Sequence, residues 1–203
     1  MEAIEVDRQS ADLTRVKRFK AETHSAHERL DNAIMAREPF SSRERYAGFL
    51  RVQYLFHRDI DALYRHPVLK SVLPDLDGRR RMSLVAQDLT DLGAAVPVSP
   101  ARPAFDLDEP ADIPTALGWL YVAEGSNLGA AFLLKAAAKL GLSETFGARH
   151  LAGAPEGRGL HWRTFTSALD EYPLDPDGDE RAVAGAVAAF ARVSDYVRLA
   201  YDG

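Results

Sequence analysis

The stretch TALGWLYVAEGSNLGAAFLLKAAAKLG, Thr115–Gly141, reads as the body of one long helix that begins near Ile113 and closes at Gly141. At about 100° per residue, Gly118, Tyr121, Gly125, Gly129, Phe132 and Ala136 share one stripe of it. An interior glycine costs about 1 kcal/mol relative to alanine, so three on one face need a physical reason. Close packing against another helix is one, because small residues let backbones approach. A flat ligand lying against the backbone is the other. The Gly125–Gly129 pair also allows the helix to bend.

On either side of this helix the signals are again helical. A first helix is expected from Ser10 or Asp12 to about Ala36, with Pro39 beyond it. Ser41-Ser42-Arg43-Glu44 reads as a capping box opening a second helix to about Arg65, broken at His66-Pro67. A third segment from about Asp75 ends at Gly93. Residues 94–110 hold Pro97, Pro100, Pro103 and Pro110 and form a long connection. A Gly/Pro-bearing loop covers 142–157, and two further helices cover roughly 158–171 and 178–201. No period-two strand and no repeat is visible. The expectation is one all-α domain over residues 12–203, preceded by a flexible N-terminus at 1–11.

Composition narrows the function classes. The chain has 203 residues, 46% of them hydrophobic, which suffices for a buried core and a ligand cavity. Its net charge of −5 points neither to nucleic acid nor to an anionic membrane. The absence of cysteine excludes disulfides, iron–sulfur clusters and thiolate ligands, and leaves histidine as the natural ligand to a metal. The N-terminal residues lack a basic start followed by an apolar run, and no stretch approaches a membrane span, so a cytoplasmic location is expected.

The first helix carries the candidate ligand. Val16, Lys20, Thr23, His27, Leu30 and Ile34 fall on one stripe, with His27 near its middle and His24 at its edge. A neutral imidazole there suits coordination, with Glu28 or a water accepting from its other nitrogen. A core histidine with satisfied hydrogen bonds is the competing reading. Lys20 lies two turns before His27, about 10 Å along the axis. That places an ammonium where the carboxylate edge of a flat ligand would lie, although a lysine that snorkels to solvent looks the same.

Thr23-His24-Ser25-Ala26-His27-Glu28-Arg29-Leu30 resembles the proximal-helix motif of the bacterial haem oxygenases. Ala116–Leu133 resembles their distal helix, and Phe146–Leu151 and Gln53–Phe56 also match. The resemblance spans about residues 12–200. It implies the helical haem oxygenase fold, with haem between the first helix and a kinked, glycine-rich distal helix. It implies His27 as the axial ligand to iron, and Gly125 and Gly129 as backbone that approaches dioxygen. Ordered water would supply protons, held by a polar network for which His57 and Arg81 are the candidates. His57 shares an inner stripe with Tyr46, Phe49, Leu50, Gln53 and Ile60; a structural hydrogen bond is the plainer role for either residue. Lys20 and Tyr121 would hold a haem propionate, with Thr23 and Phe132 lining the site. Lys20, Arg149 and Lys135 would form a basic rim for the propionates or an electron donor. The expected product is biliverdin IXα, with carbon monoxide and ferrous iron.

No dinucleotide fingerprint is present, so electrons must come from a separate reductase, a ferredoxin or a small reductant. Iron acquisition and chromophore supply to a phytochrome are both compatible with such an enzyme. A non-catalytic haem carrier or sensor is the main alternative, and a metal-free bundle enzyme acting on a vitamin or quinone precursor is another. A di-iron bundle would need Glu-x-x-His pairs, and the sequence has none.

Overall fold

The computed structural model describes residues 14–99 and 101–202, so the expected helix start at Ser10 or Asp12 and the expected flexible segment 1–11 lie outside the described residues. The helices are α1 (Arg15–Met35), α2 (Arg43–Ile60), α3 (Pro67–Val72), α4 (Met82–Asp91), α5 (Ile113–Ala138), α6 (Arg158–Glu171) and α7 (Pro176–Asp202). Short 3-10 turns cover Leu63–Arg65, Asp77–Arg79 and Arg149–Leu151. Among the described residues there is no strand, as the sequence leads one to expect, and no helix is long and apolar enough to cross a membrane.

Local chemistry sets the ends. Thr14 caps α1 and Asp112 caps α5, each accepting a backbone N–H from the first turn. At α2 the cap is Ser42, which accepts from the Arg45 amide at 3.2 Å, while Ser41 turns back to the Glu38 carbonyl. The cap is therefore one residue later than the spacing suggests, and with Arg45 at the third helical position the reciprocal half of the box is missing. Other boundaries differ from expectation: the segment expected from about Asp75 holds only a 3-10 turn at Asp77–Arg79, and α4 begins at Met82. The second helix stops at Ile60, and Pro67 starts a helix of its own, since a proline's missing N–H costs nothing in the first turn. Gly93 and Gly141 both adopt positive φ, +65° and +73°, where glycine is favoured.

Helix α7 is the spine. Ion pairs Arg15–Asp179 (2.7 Å) and Arg37–Asp202 (2.6 Å) join both ends of α1 to it, so the two run parallel. The N-terminal half of α5 crosses α7 at backbone contact. A Cβ on Gly118 would stand 2.1 Å from the Ala182 carbonyl oxygen, and one on Gly185 would stand 2.4 Å from that of Thr115. Leu117, Leu120, Phe56, Phe165, Ala186 and Val193 fill the main core around this crossing. The C-terminal half of α5 leaves it. Ala130 and Ala137 join a second core with Tyr46, Phe49, Leu50, Val85 and Leu89, and the opposite face of that half is exposed at Leu128, Gly129 and Phe132.

Candidate active site

Helices α1 and α5 meet where the Phe19 and Tyr121 rings stand edge to face, 4.9 Å apart. From Phe19 to His27 and from Tyr121 to Gly129 is eight residues in each helix, about 12 Å of rise. Beyond the contact both helices present open surface. A Cβ on Gly129 would meet nothing within 4 Å, and one on Gly125 would meet only Trp162, at 3.6 Å. Phe132 is 68% exposed, a large apolar side chain with nothing of its own chain to cover it.

The glycine stripe thus divides. Gly118 serves helix packing, while Gly125 and Gly129 leave a bare strip of backbone. Spacing alone could not separate them, because the packing partner, Gly185 with Ala182 and Ala186, lies on another helix.

His27 is 59% exposed, so the expectation that it sits mid-stripe on a buried face is corrected. The buried line of α1 is Phe19, Thr23 and Leu30, set by contact with α7, and His27 stands at its rim. Its ring edge meets the Phe190 ring of α7 at 5.7 Å. Nδ1 lies 3.5 Å from Asp31, which takes the place expected for Glu28. Glu28 instead faces His24, 66% exposed, at 3.4 Å. With Nδ1 turned to a carboxylate, Nε2 is the nitrogen available to an external ligand.

Lys20 is exposed beside the Phe19–Tyr121 contact, so the structure brings Lys20 and Tyr121 to the same end of the open face. The Tyr121 ring also packs on Trp162, 5.6 Å away, and burial raises its hydroxyl pKa. Thr23 is buried with its hydroxyl bonded to the Phe19 carbonyl at 2.7 Å, one turn back; that oxygen is committed within the helix. Arg149 differs from the rim cation expected. It is engaged with Asp88 and Asp91, and its own amide donates to Asp88 at 2.9 Å. Lys135 is exposed near the end of α5.

His57 and Arg81 are both buried, and they have company that sequence reasoning passed over. Asp88, fully buried on α4, accepts from the His150 amide at 3.1 Å and pairs with His150 Nδ1 at 2.8 Å. Burial opposes its charge, but the bonds from His150 and the two amides outweigh it and hold the Asp88 pKa low. Among the described residues, Tyr46 Oη, His57 Nδ1, Arg81 Nε and His150 Nε2 are buried without a hydrogen-bond partner. Buried polar atoms are normally paired, and ordered water is the usual partner where protein supplies none. Burial first, then the charges of His150 and Arg81, push His57 down to about 3. His57 is therefore neutral near pH 7, able to exchange hydrogen bonds with water without adding charge.

That shift has a stability consequence. The unfolded chain binds a proton at His57 below its ordinary pKa of about 6.5, and the folded chain does not. Folding stability is thus unaffected by His57 above that pH and falls as pH drops toward 3, by up to about 1.4 kcal/mol per unit. His150, also lowered by burial despite Asp88, adds in the same direction. H57Q should flatten the slope of urea-unfolding free energy against pH between about pH 6 and pH 4. An unchanged slope would contradict the burial of a neutral His57.

A second buried polar group backs the Gly125 turn. Glu124, 2% exposed, pairs with Arg79 Nη1 at 2.7 Å. Arg79 also donates to the carbonyls of Pro74 (2.9 Å) and His161 (3.2 Å) and lies over the Phe165 ring. Burial raises the Glu124 pKa and Arg79 opposes it. This pair ties α5 to α6 and to the turn before α4. The signal in the sequence is only a Glu in an otherwise apolar stretch; its partner lies 45 residues away.

The sequence model of the heme oxygenase family matches residues 13–198. The chain is 42% identical over 189 residues to Heme oxygenase PigA of Pseudomonas aeruginosa, covering 92% of this chain and 93% of that protein. Its structure is similar to the NO- and CO-bound heme oxygenase from Neisseria meningitidis, with a TM-score of 0.86 and 41% identity over 94% of this chain and 93% of that one. Heme oxygenase-1 from the cyanobacterium Synechocystis, in complex with heme, shares the fold at a TM-score of 0.70 and 16% identity, over 92% of both chains. A match of this length and identity, spanning the helix that bears His27 and the helix that bears Gly125 and Gly129, means that the chain belongs to the heme oxygenase family.

Proposed function

We propose that the open face between α1 and α5 seats haem, with His27 Nε2 as the one protein ligand to iron and the Gly125–Gly129 backbone over the opposite side. The enzyme cleaves haem to biliverdin, as its family does, and haem is both substrate and prosthetic group. The observation that carries the seating is Gly129, where an added Cβ would touch nothing of the protein. A helix that gives up about 1 kcal/mol of propensity at an uncrowded position is making room for something outside the chain. The exposed Phe132 ring and the accessible His27 imidazole fit the same occupant: one supplies apolar contact, the other a nitrogen donor.

Bound haem supplies the iron that activates dioxygen; the residues do the rest. His27 holds the iron, and Asp31 near Nδ1 fixes the ring and raises its donor strength. The bare backbone at Gly125 and Gly129 leaves room for a small molecule such as dioxygen beside the haem. His57 and Arg81, with His150 and Tyr46, hold water through their unpartnered atoms and so keep proton donors close to the reaction. Electrons come from a separate reductase or ferredoxin, and the exposed Lys20 and Lys135 offer it positive charge. The biliverdin can serve a phytochrome or simply leave as the by-product of iron release.

Seating also sets which meso carbon is opened. Lys20 and Tyr121 stand at the same end of the open face and can bind one propionate through a charge-assisted hydrogen bond. Met35 and Ala136, further along the same two helices, carry no charge that could hold a propionate elsewhere. The expected main product is biliverdin IXα, read by chromatography against the four isomers. Lys20→Ala with Tyr121→Phe should mix the isomers while haem still binds through His27. A β or δ isomer from the parent protein would overturn this seating.

A further inference from the structure

The polar group behind the Gly125 turn does not end inside the protein. His161 on α6 is buried, yet its Nδ1 meets Glu156 Oε1 at 2.7 Å, and the Glu156 side chain is 41% exposed. The other nitrogen, Nε2, faces inward, 3.8 Å from Glu124 Oε2, and among the described residues it has no hydrogen-bond partner. It borders a small cavity lined by Arg81, Glu124, Asn127, Arg158, His161 and Trp162, with room for about one water. Trp162 stands against Gly125, and Arg81 belongs to the His57–His150 group, whose two imidazoles feel its charge. One imidazole therefore joins a surface carboxylate to a cavity that touches both the bare turn of α5 and the buried water-holding group.

We propose that Glu156 and His161 form the port through which protons enter this enzyme's buried polar network. The inference rests on the reading of His57 and Arg81 as that network. Reduction of dioxygen during haem opening forms water and so takes up protons. A proton bound by Glu156 passes to His161 Nδ1 as Nε2 releases its own to water in the cavity. Water-assisted tautomerisation, which carries the Nδ1 proton to Nε2, then restores the first form of the ring. One proton moves inward per cycle and no electron moves. The charges facing His161 are balanced: Glu156 and Glu124 lie on either side, against Arg81 and Arg158 across the cavity, with Arg79 paired to Glu124. A structural histidine would need only one of these contacts, and its second nitrogen would be bonded or exposed.

H161Q keeps a hydrogen-bonding group toward Glu156 but cannot pass a proton through. With haem affinity and melting temperature unchanged, its turnover should fall roughly tenfold or more, with a larger solvent deuterium isotope effect and a steeper loss at high pH. E156Q should give a smaller loss of the same form. In the free protein, without haem, E156Q should slow exchange of the His161 ring proton with water, followed by NMR. Wild-type turnover, isotope effect and pH profile in H161Q would overturn the port. If H161Q fails to fold, E156Q decides, since Glu156 is exposed; unchanged turnover and unchanged ring-proton exchange would overturn it equally. H57Q, measured in parallel, separates the two ideas: slow H57Q beside normal H161Q removes the port and leaves the network.

Discussion

His27→Ala should fold like the parent protein and lose the ferric haem spectrum of a histidine-ligated iron, which added imidazole should restore. Folding should be spared because the side chain is more than half exposed; changes at such surfaces usually stay within about 0.5 kcal/mol. Function should not be. Loss of a partner one shell further out already costs a metal site roughly 10–100-fold, so removing the ligand itself should cut turnover at least a hundredfold. His24→Ala is the control. His24 faces Glu28 on the solvent side, and its variant should keep both spectrum and turnover. A normal spectrum in His27→Ala with a lost one in His24→Ala would reassign the ligand.

The glycines of α5 should respond with opposite signs. Gly129→Leu meets no protein atom at its Cβ and exchanges the poorest ordinary helix former for one of the best, so stability should rise by about 0.5–1 kcal/mol. The same side chain fills the strip of backbone against which haem and dioxygen must lie, and turnover should fall to near background. Gly118→Ala does the reverse. Its methyl would stand 2.1 Å from the Ala182 carbonyl oxygen, a backbone atom that moves only if α5 and α7 separate. Overpacking of this kind costs about 1–3 kcal/mol, so the melting temperature should drop by several degrees. Calorimetry and haem degradation on the two variants give the comparison. Destabilisation by Gly129→Leu, or normal turnover in it, would make Gly129 a packing residue like Gly118.

Much of the helical order was legible because a 3.6-residue period survives in the sequence: α5, α6 and α7 fall within a few residues of where their apolar spacing and caps put them. What a period cannot give is which neighbour a face meets. Gly118, Gly125 and Gly129 share a stripe, yet only the first touches α7. His27 shares a stripe with Leu30, but the contact with α7 draws the buried line through Phe19 and Thr23 instead, and His27 is left at the edge. Arg149 reads as a free cation until Asp88 and Asp91, some 60 residues earlier, are placed beside it. His150 carries no local signal and Glu124 only that of a charge in an apolar stretch, because a buried charge or imidazole is recognised by its partner, and Asp88 and Arg79 come from other elements.

Mixing the purified protein with haemin, supplying dioxygen and a reductant, and following the absorption spectrum shows whether the bare α5 backbone and the His27 imidazole hold haem for its own oxidation. A Soret band of bound haem should form and then decay, as a red-absorbing biliverdin band grows and carbon monoxide is released. A stable haem spectrum under the same conditions would contradict that role and make the protein a haem carrier.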